Sequence, residues 1–304
     1  MAVVLLVIFA MILSVEFVLG NLVNGFIALV NCIDWIRRRK LSFMDQILTA
    51  LAISRIGQLW FVFFITFVSV LSRALLVTNN MSKIIIGIWI IINHFSVWLT
   101  TSLCIFYLFK IAIFTSSVFL YLKRRVEKLV VVTLLLSLVL LFLNIAVIST
   151  FNDVSKRNLT YSSSSRKSVH LPGIIVFSNM MFTIFPFMVS LTTFFLLIFS
   201  LWRHLRKMQL KATGLRDAST KAHLQGLQTV IAFLVLYTIF SLTLLLQVWS
   251  HNLLENVLGN MICQVFSMAY PSGHSHLLIL GNTKLRRVSL LVLSWLKVQA
   301  QSRG

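Results

Sequence analysis

The sequence predicts an all-α membrane protein: a bundle of seven transmembrane helices, N-terminus outside and C-terminus cytoplasmic. Three observations carry this. Of the 304 residues, 59% are hydrophobic and only 11% are charged, where a soluble domain carries roughly a quarter charged. Seven apolar runs are long enough, at roughly 20 residues of helix, to cross a hydrocarbon core of about 30 Å. The connections between them alternate in basic content, as a chain threading back and forth across a membrane requires.

The elements follow in order. The first run, 3–33, has no basic start and no small-residue cleavage site, so it is expected to be retained as a span rather than removed as a signal. It carries Glu16, Asn21 and Asn24. The second, 47–71, holds Arg55. The third, 84–109, places Trp89, Asn93, Ser96 and Thr100 at spacings of four, three and four, hence on one helical face. The fourth, 129–149, carries no motif. The fifth, 172–201, begins at Pro172, where a missing N–H costs nothing, and contains Pro186. The sixth, 227–249, holds Tyr237 and Phe240. The seventh, 257–280, holds Gln264, Pro271 and Ser272, and a tail follows at 281–304. No run alternates with the two-residue period of a membrane barrel, and helices satisfy their own backbone in lipid.

Orientation follows from Lys and Arg. Arg37, Arg38, Arg39 and Lys40 lie between the first two runs. Lys110 ends the third run, and Lys123, Arg124, Arg125 and Lys128 follow it. Arg203, Arg206, Lys207, Lys211, Arg216 and Lys221 lie between the fifth and sixth, and the tail adds Lys284, Arg286, Arg287, Lys297 and Arg303. The other connections hold Arg73, Lys83, Lys156, Arg157, Arg166 and Lys167. The richer side is cytoplasmic, which makes the span number odd. The net charge of +20 is then a matter of topology and anionic inner-leaflet lipid, not of nucleic acid.

Two N-x-S/T sequons, at Asn80 and Asn158, fall on the outer side. Asn158, in the polar stretch 150–170, is the preferred glycan site. Cys32, Cys104 and Cys263 offer no outer pair for a disulfide and read as buried apolar groups. The tail has no lipidation box. No H-E-x-x-H, G-x-S-x-G or P-loop pattern is present, so the sequence points away from an enzyme. His274 and His276 point apart on a helix, so no metal site is expected. Neither an internal repeat nor a line of ionisable groups favours an ion-coupled transporter.

Two constellations remain. Arg55 is a charge deep in a span and needs polar partners; Asn24 and Ser272 are the expected ones, forming an interhelical clamp, with a substrate site as the alternative. Pro186 and Pro271 each remove a backbone donor inside a span and mark pivots. The polar face of the third span, with His94 beside it, faces either a pocket or a neighbouring helix. Phe182, Phe187, Tyr237, Phe240 and Gln264 supply the apolar and hydrogen-bonding groups that a small-molecule pocket needs. The tail from Lys284 to Leu296 mixes basic and apolar residues, as a helix lying on the inner membrane face would.

Several stretches carry a resemblance. Gly20-Asn21 with Gly25-Phe26-Ile27-Ala28-Leu29-Val30-Asn31 lies in the first run, and Asp45-Gln46-Ile47-Leu48-Thr49-Ala50-Leu51-Ala52-Ile53-Ser54-Arg55 in the second. Asn93-His94-Phe95-Ser96-Val97-Trp98-Leu99 and Phe106-Tyr107-Leu108-Phe109-Lys110 follow. Later come Phe119-Leu120-Tyr121-Leu122-Lys123, Lys207-Met208-Gln209-Leu210, Asp217-Ala218-Ser219-Thr220-Lys221-Ala222-His223, Tyr270-Pro271-Ser272-Gly273-His274-Ser275 and Leu278-Ile279-Leu280-Gly281-Asn282-Thr283-Lys284. Together they resemble the type 2 bitter taste receptor family of G-protein-coupled receptors. The resemblance implies a plasma-membrane receptor for small bitter agonists, coupled to a gustducin-type G protein and needing no cofactor. It implies that Trp89, Asn93, His94 and Gln264 serve the ligand, joining Ser96, Phe182, Tyr237 and Phe240 of the expected pocket, and that Asn24, Arg55 and Ser272 form an interhelical network. Charge position together with the resemblance assigns Lys123, Arg124, Arg206 and Lys207 to the G protein. Asp-Arg-Tyr and Asn-Pro-x-x-Tyr motifs are absent, as they are from that family. His276 departs from the family pattern, where an apolar or aromatic residue is expected.

Overall fold

The computed structural model describes residues 2–71, 79–161, 171–211, 218–249 and 257–302. Within these, the side chains of 2, 3, 6, 69–71, 79, 80, 82, 83, 151–161, 171–181, 207–211, 218–225, 247–249, 257, 258 and 260 fall outside the description. Arg73, Arg166, Lys167, Arg216 and Arg303 lie outside it altogether.

The described residues are helical with short breaks: α1 (Ala2–Arg38), α2 (Phe43–Leu71), α3 (Asn79–Ile111), α4 (Ser117–Arg124), α5 (Val126–Tyr161), α6 (Leu171–Lys211), α7 (Ala218–Trp249), α8 (Val257–Gly281) and α9 (Thr283–Gln301). Local chemistry sets several ends. Arg39 takes φ 54° and donates its N–H to the Trp35 carbonyl at 2.8 Å, a left-handed stop to α1. Ser42 caps α2 by accepting from the Asp45 N–H at 3.1 Å. Asn282 breaks α8 from α9 and caps α9, its side chain accepting from the N–H groups of Lys284 and Leu285.

The long helices close into a ring. α1 packs on α2 and α8, α2 on α3, α3 on α5 and α6, α6 on α7, and α7 on α8. α3 is the central helix: every residue from Ser96 to Cys104 is buried. Polarity is inverted relative to a soluble protein. Asn24, Arg55, Gln58, Thr100 and Ser275 are buried, while Leu135, Leu136 and Phe142 of α5 are exposed. An apolar outer surface over buried polar groups is stable only against lipid.

Among the described residues, six helices are long and apolar enough to cross a membrane: α1, α2, α3, α5, α6 and α7. α8, the seventh expected span, is a helix of 25 residues but is not among the six. Asn260, Gln264, Ser267, Ser272, His274, Ser275 and His276 dilute its hydropathy, although it is packed between α1 and α7. Asn158, expected in a polar loop at 150–170, lies instead on helical backbone, because α5 continues to Tyr161. Asn80 sits in the first turn of α3. Pro172 is the second residue of α6, and Pro186 and Pro271 lie inside α6 and α8.

Candidate functional site

The end of the bundle carrying Arg37, Arg38 and Lys110 is here called the basic end. Toward the opposite end, α3, α5, α6 and α7 enclose a cavity of about 70 Å³. Trp89, Asn93 and His94 line it from α3, Asn144 from α5, Phe182 and Pro186 from α6, and Leu244 from α7. Spacings of three and four on α3 bring its residues to this one face. His94 packs on Trp98 with centroids 5.9 Å apart, and Trp98 packs in turn on Phe185 at 5.9 Å. Trp89 stacks on Phe61 of α2 at 6.1 Å. Asn93 Oδ1 and His94 Nε2 are buried without a hydrogen-bond partner among the described residues. Such groups favour a ligand that can pair with them.

Next to this cavity α3 is tied to α6. Thr101 Oγ1 lies 2.8 Å from Ser190 Oγ and 3.4 Å from the Pro186 carbonyl, which it donates to. An aromatic layer comes next. Phe187 meets Tyr237 at 5.8 Å, Tyr237 meets Tyr270 at 5.8 Å, and Phe240 stacks on Tyr270 at 4.3 Å.

Beneath that layer lies Arg55, fully buried. Its Nη1 donates to Ser275 Oγ at 2.7 Å and its Nη2 to Thr100 Oγ1 at 3.3 Å. Ser275 Oγ donates onward to Asn24 Oδ1 at 2.7 Å. Asn24 Nδ2 donates to the Gly20 carbonyl at 2.8 Å and the Pro271 carbonyl at 3.4 Å. The Tyr270 ring sits 5.3 Å from the guanidinium carbon. Four helices, α1, α2, α3 and α8, therefore meet on one cation.

The sequence reading and this geometry agree in part. Trp89, Asn93, His94 and Phe182 line the cavity, but Ser96, Tyr237, Phe240 and Gln264 do not. Tyr237 and Phe240 are buried in the aromatic layer, and Ser96 is fully buried and does not line the cavity. Ser272, expected beside Arg55, bonds only to carbonyls of its own helix, Met268 and Ala269. Ser275, about one turn on, takes that place. Thr100, read as part of the pocket stripe, belongs to the Arg55 network. Asn144 is a cavity residue that the sequence did not single out; its signal was the buried polar pair Ser137 and Asn144, seven apart in a mostly apolar span. Pro186, read only as a pivot, also lines the cavity.

At the basic end, Lys284 gathers Asp34 at 2.6 Å, Asp45 at 3.2 Å and Asn31 at 2.9 Å. This fixes α9 to α1 and α2. Lys123 on α4 donates to the Ala112 carbonyl at 3.1 Å, Arg124 is exposed, and Arg206 is exposed with its guanidinium over Trp202 at 5.7 Å. Lys207 lies in α6, but its side chain is outside the description. A second, larger cavity of about 510 Å³ opens at this end, lined by residues including Tyr107, Thr193, Phe194, Gln228, Thr229 and Arg286. No motif marks it, because its walls come from separated helices. Among the described residues no three His, Cys, Asp or Glu side chains converge as a metal would require.

The taste receptor protein family (TAS2R) matches residues 1–297. The chain is 49% identical over 289 residues to taste receptor type 2 member 140 of Rattus norvegicus, covering 94% of this chain and 93% of that protein. It is 52% identical over 297 residues to taste receptor type 2 member 14 of Homo sapiens, covering 95% and 92%. With taste receptor type 2 member 125 of Rattus norvegicus the identity is 49% over 300 residues, covering 97% and 96%. On a match that runs almost end to end, and with apolar helices enclosing a polar centre, this chain belongs to the TAS2R taste receptor family and is a multi-pass membrane receptor, not an enzyme.

Proposed function

We propose that this chain is a G-protein-coupled bitter taste receptor of the plasma membrane, with seven spans, its N-terminus outside and its basic end in the cytoplasm. α8 serves as the seventh span: Ser267, His274 and Ser275 are buried within the bundle rather than set against lipid, which is how a span of low hydropathy is tolerated. Small bitter compounds bind the cavity between α3, α5, α6 and α7, and the receptor then activates a gustducin-type G protein. The observation that carries this is the set of unpaired polar atoms of Asn93 and His94 among aromatic walls. A few placed polar groups in an apolar cleft are the make-up of a small-molecule site.

At about 70 Å³ the cavity is small beside the 300–1,000 Å³ typical of ligand pockets. An agonist therefore has to part α3 from α6 and α7. Differential affinity for the parted arrangement is what drives a population shift. Going from mostly off to mostly on takes about 5 kcal/mol of it. The contacts available to carry that change run from Pro186 and Thr101 through Phe187, Tyr237 and Tyr270 to Arg55. Lys123, Arg124, Arg206 and Lys207 then meet the G protein around the larger basic-end cavity. Glycosylation is assigned to Asn158, with Asn80 as the lesser candidate.

The test is agonist-dependent guanine-nucleotide exchange on a gustducin-type G protein, measured in membranes bearing the chain. Exchange that rises with agonist dose supports the reading. Saturable substrate uptake into vesicles without nucleotide exchange would make the chain a transporter instead.

A further inference from the structure

Arg55 carries a full charge at the centre of the bundle, yet it has no ion-pair partner among the described residues. The chain has 7 Asp and Glu residues, and their positions explain why. Asp34 and Asp45 are held by Lys284 at the basic end. Glu127 opens α5 at that same end. Asp153, Asp217 and Glu255 fall in sequence beyond the apolar spans. Glu16 is eight residues from Asn24 on α1, about 12 Å along the axis. Hydroxyls and the Tyr270 face supply dipoles, but nothing nearby neutralises the guanidinium. An uncompensated buried charge costs several kcal/mol.

Around it, hydrogen-bonding capacity is left over on one side. Arg55 Nε, Gln58 Nε2 and Oε1, and Ser96 Oγ are buried with no partner among the described residues. Gln58 is 1% exposed, and Ser96 and Arg55 are 0% exposed. Their placement is not scattered. Gln58 lies three residues beyond Arg55 on α2, and Ser96 lies four residues before Thr100 on α3, so each shares the face of the residue already bonded across the α2–α3 seam. The two helices run antiparallel here, so both steps lead away from the basic end by about one turn. Gln58 and Ser96 thus lie at about the same depth, on the cavity side of Arg55 and Thr100. One turn further along the same α3 face, Asn93 lines the cavity, with its own Oδ1 unpaired.

We propose that this site binds a small monovalent anion of the halide class, chloride in the physiological case. The Nε–H of Arg55, the amide N–H of Gln58 and the hydroxyl of Ser96 donate to it. Three donors around one cation match a halide's need for charge and N–H or O–H contacts. A water molecule would pair with these groups but would leave the charge as it is. The anion reaches the site from the cavity, past Asn93. It neutralises the cation at which α1, α2, α3 and α8 meet, and so stabilises the bundle and sets the agonist's threshold for moving α3.

The test is thermal unfolding of the purified full-length receptor in lipid nanodiscs, in sodium chloride and in sodium gluconate at equal ionic strength. The expected result is a midpoint about 3 °C or more higher in chloride, saturating with concentration, with bromide equivalent and sulfate without effect. Gln58→Leu and Ser96→Ala each remove one donor, and both variants are expected to melt at midpoints that no longer depend on the halide. Ser272→Ala, whose hydroxyl bonds only within α8, keeps the full chloride response. Equal midpoints in chloride and gluconate for the unmodified receptor overturn the proposal and leave water as the site's occupant. So does a chloride shift of undiminished size in both Gln58→Leu and Ser96→Ala, which places the halide elsewhere.

Discussion

Removing the hydroxyl of Ser275 tests the polar centre of the bundle most selectively. Ser275 Oγ is the joint between Arg55 and Asn24, at 2.7 Å from each. In Ser275→Ala, Arg55 Nη1 loses its short contact, and Asn24 Oδ1 loses its donor. Both residues are 0% exposed, so bulk solvent does not replace the lost contacts. Leaving a charged donor and a neutral acceptor unpaired costs about 1–3 kcal/mol for the larger of the two. Polar contacts between membrane helices average nearer 0.6 kcal/mol, because the unfolded chain in lipid also finds partners. A net loss of about 2 kcal/mol is the working figure, or roughly 4–8 °C in melting midpoint for a chain this large. Ser272→Ala is the matched control: its hydroxyl bonds only to Met268 and Ala269, and its loss costs about 0.5 kcal/mol or less. The assay is thermal unfolding of the two variants side by side, with basal and agonist-driven G-protein activation read in parallel. If Ser272→Ala proved as damaging as Ser275→Ala, or if Ser275→Ala melted with wild type, the network described here would be wrong.

Three further outcomes are expected. Asn93→Ala should lower agonist potency about tenfold, the equivalent of one lost hydrogen bond, with surface protein unchanged; dose–response curves over a broad bitter-compound panel check it. Lys284→Ala frees Asp34, Asp45 and Asn31 at once. Because the ion pairs are partly exposed, the loss should be about 1 kcal/mol and local, seen as faster hydrogen exchange across α9 with the core unaffected. Neutralising Lys123, Arg124, Arg206 and Lys207 together should abolish most nucleotide exchange while leaving radioligand or fluorescent-agonist binding intact; exchange at wild-type rates with normal surface expression would remove them from the G-protein contact.

The helices were legible because lipid imposes a length and a polarity that any 20-residue window reveals. What stayed hidden depends on rotation about a helix axis and on depth. Ser272 and Ser275 are equally polar and nearly adjacent in sequence, and only packing against α1 decides which one reaches Asn24. Gln264 and Tyr237 are plausible pocket residues by type, yet the aromatic layer closes over Tyr237 because Phe187 and Tyr270 approach it from two helices. Asn144 was missed although Ser137, seven residues before it, lies on the same helical face and is buried with it; two polar residues in a long apolar run were too sparse a stripe to mark a face. α8 was expected as an apolar span, but its hydropathy is diluted by polar residues, of which Ser267, His274 and Ser275 are buried where the bundle and not lipid is the solvent. The α5 extension past Thr150 was missed for a related reason: its polar residues read as a loop, although Asp153, Lys156 and Arg157 are compatible with a helix outside the membrane.

The central claim is that ligand recognition occurs at Trp89 and Asn93 and is converted into G-protein activation. Calcium release tests it most directly, in cells expressing the chain with a gustducin-type chimeric G protein and challenged with a bitter-compound panel. The account predicts a dose-dependent response in wild type, strongly weakened in Trp89→Ala and Asn93→Ala at equal surface levels. Responses of wild-type potency in both variants, for every active compound, would contradict it and move recognition away from this cavity.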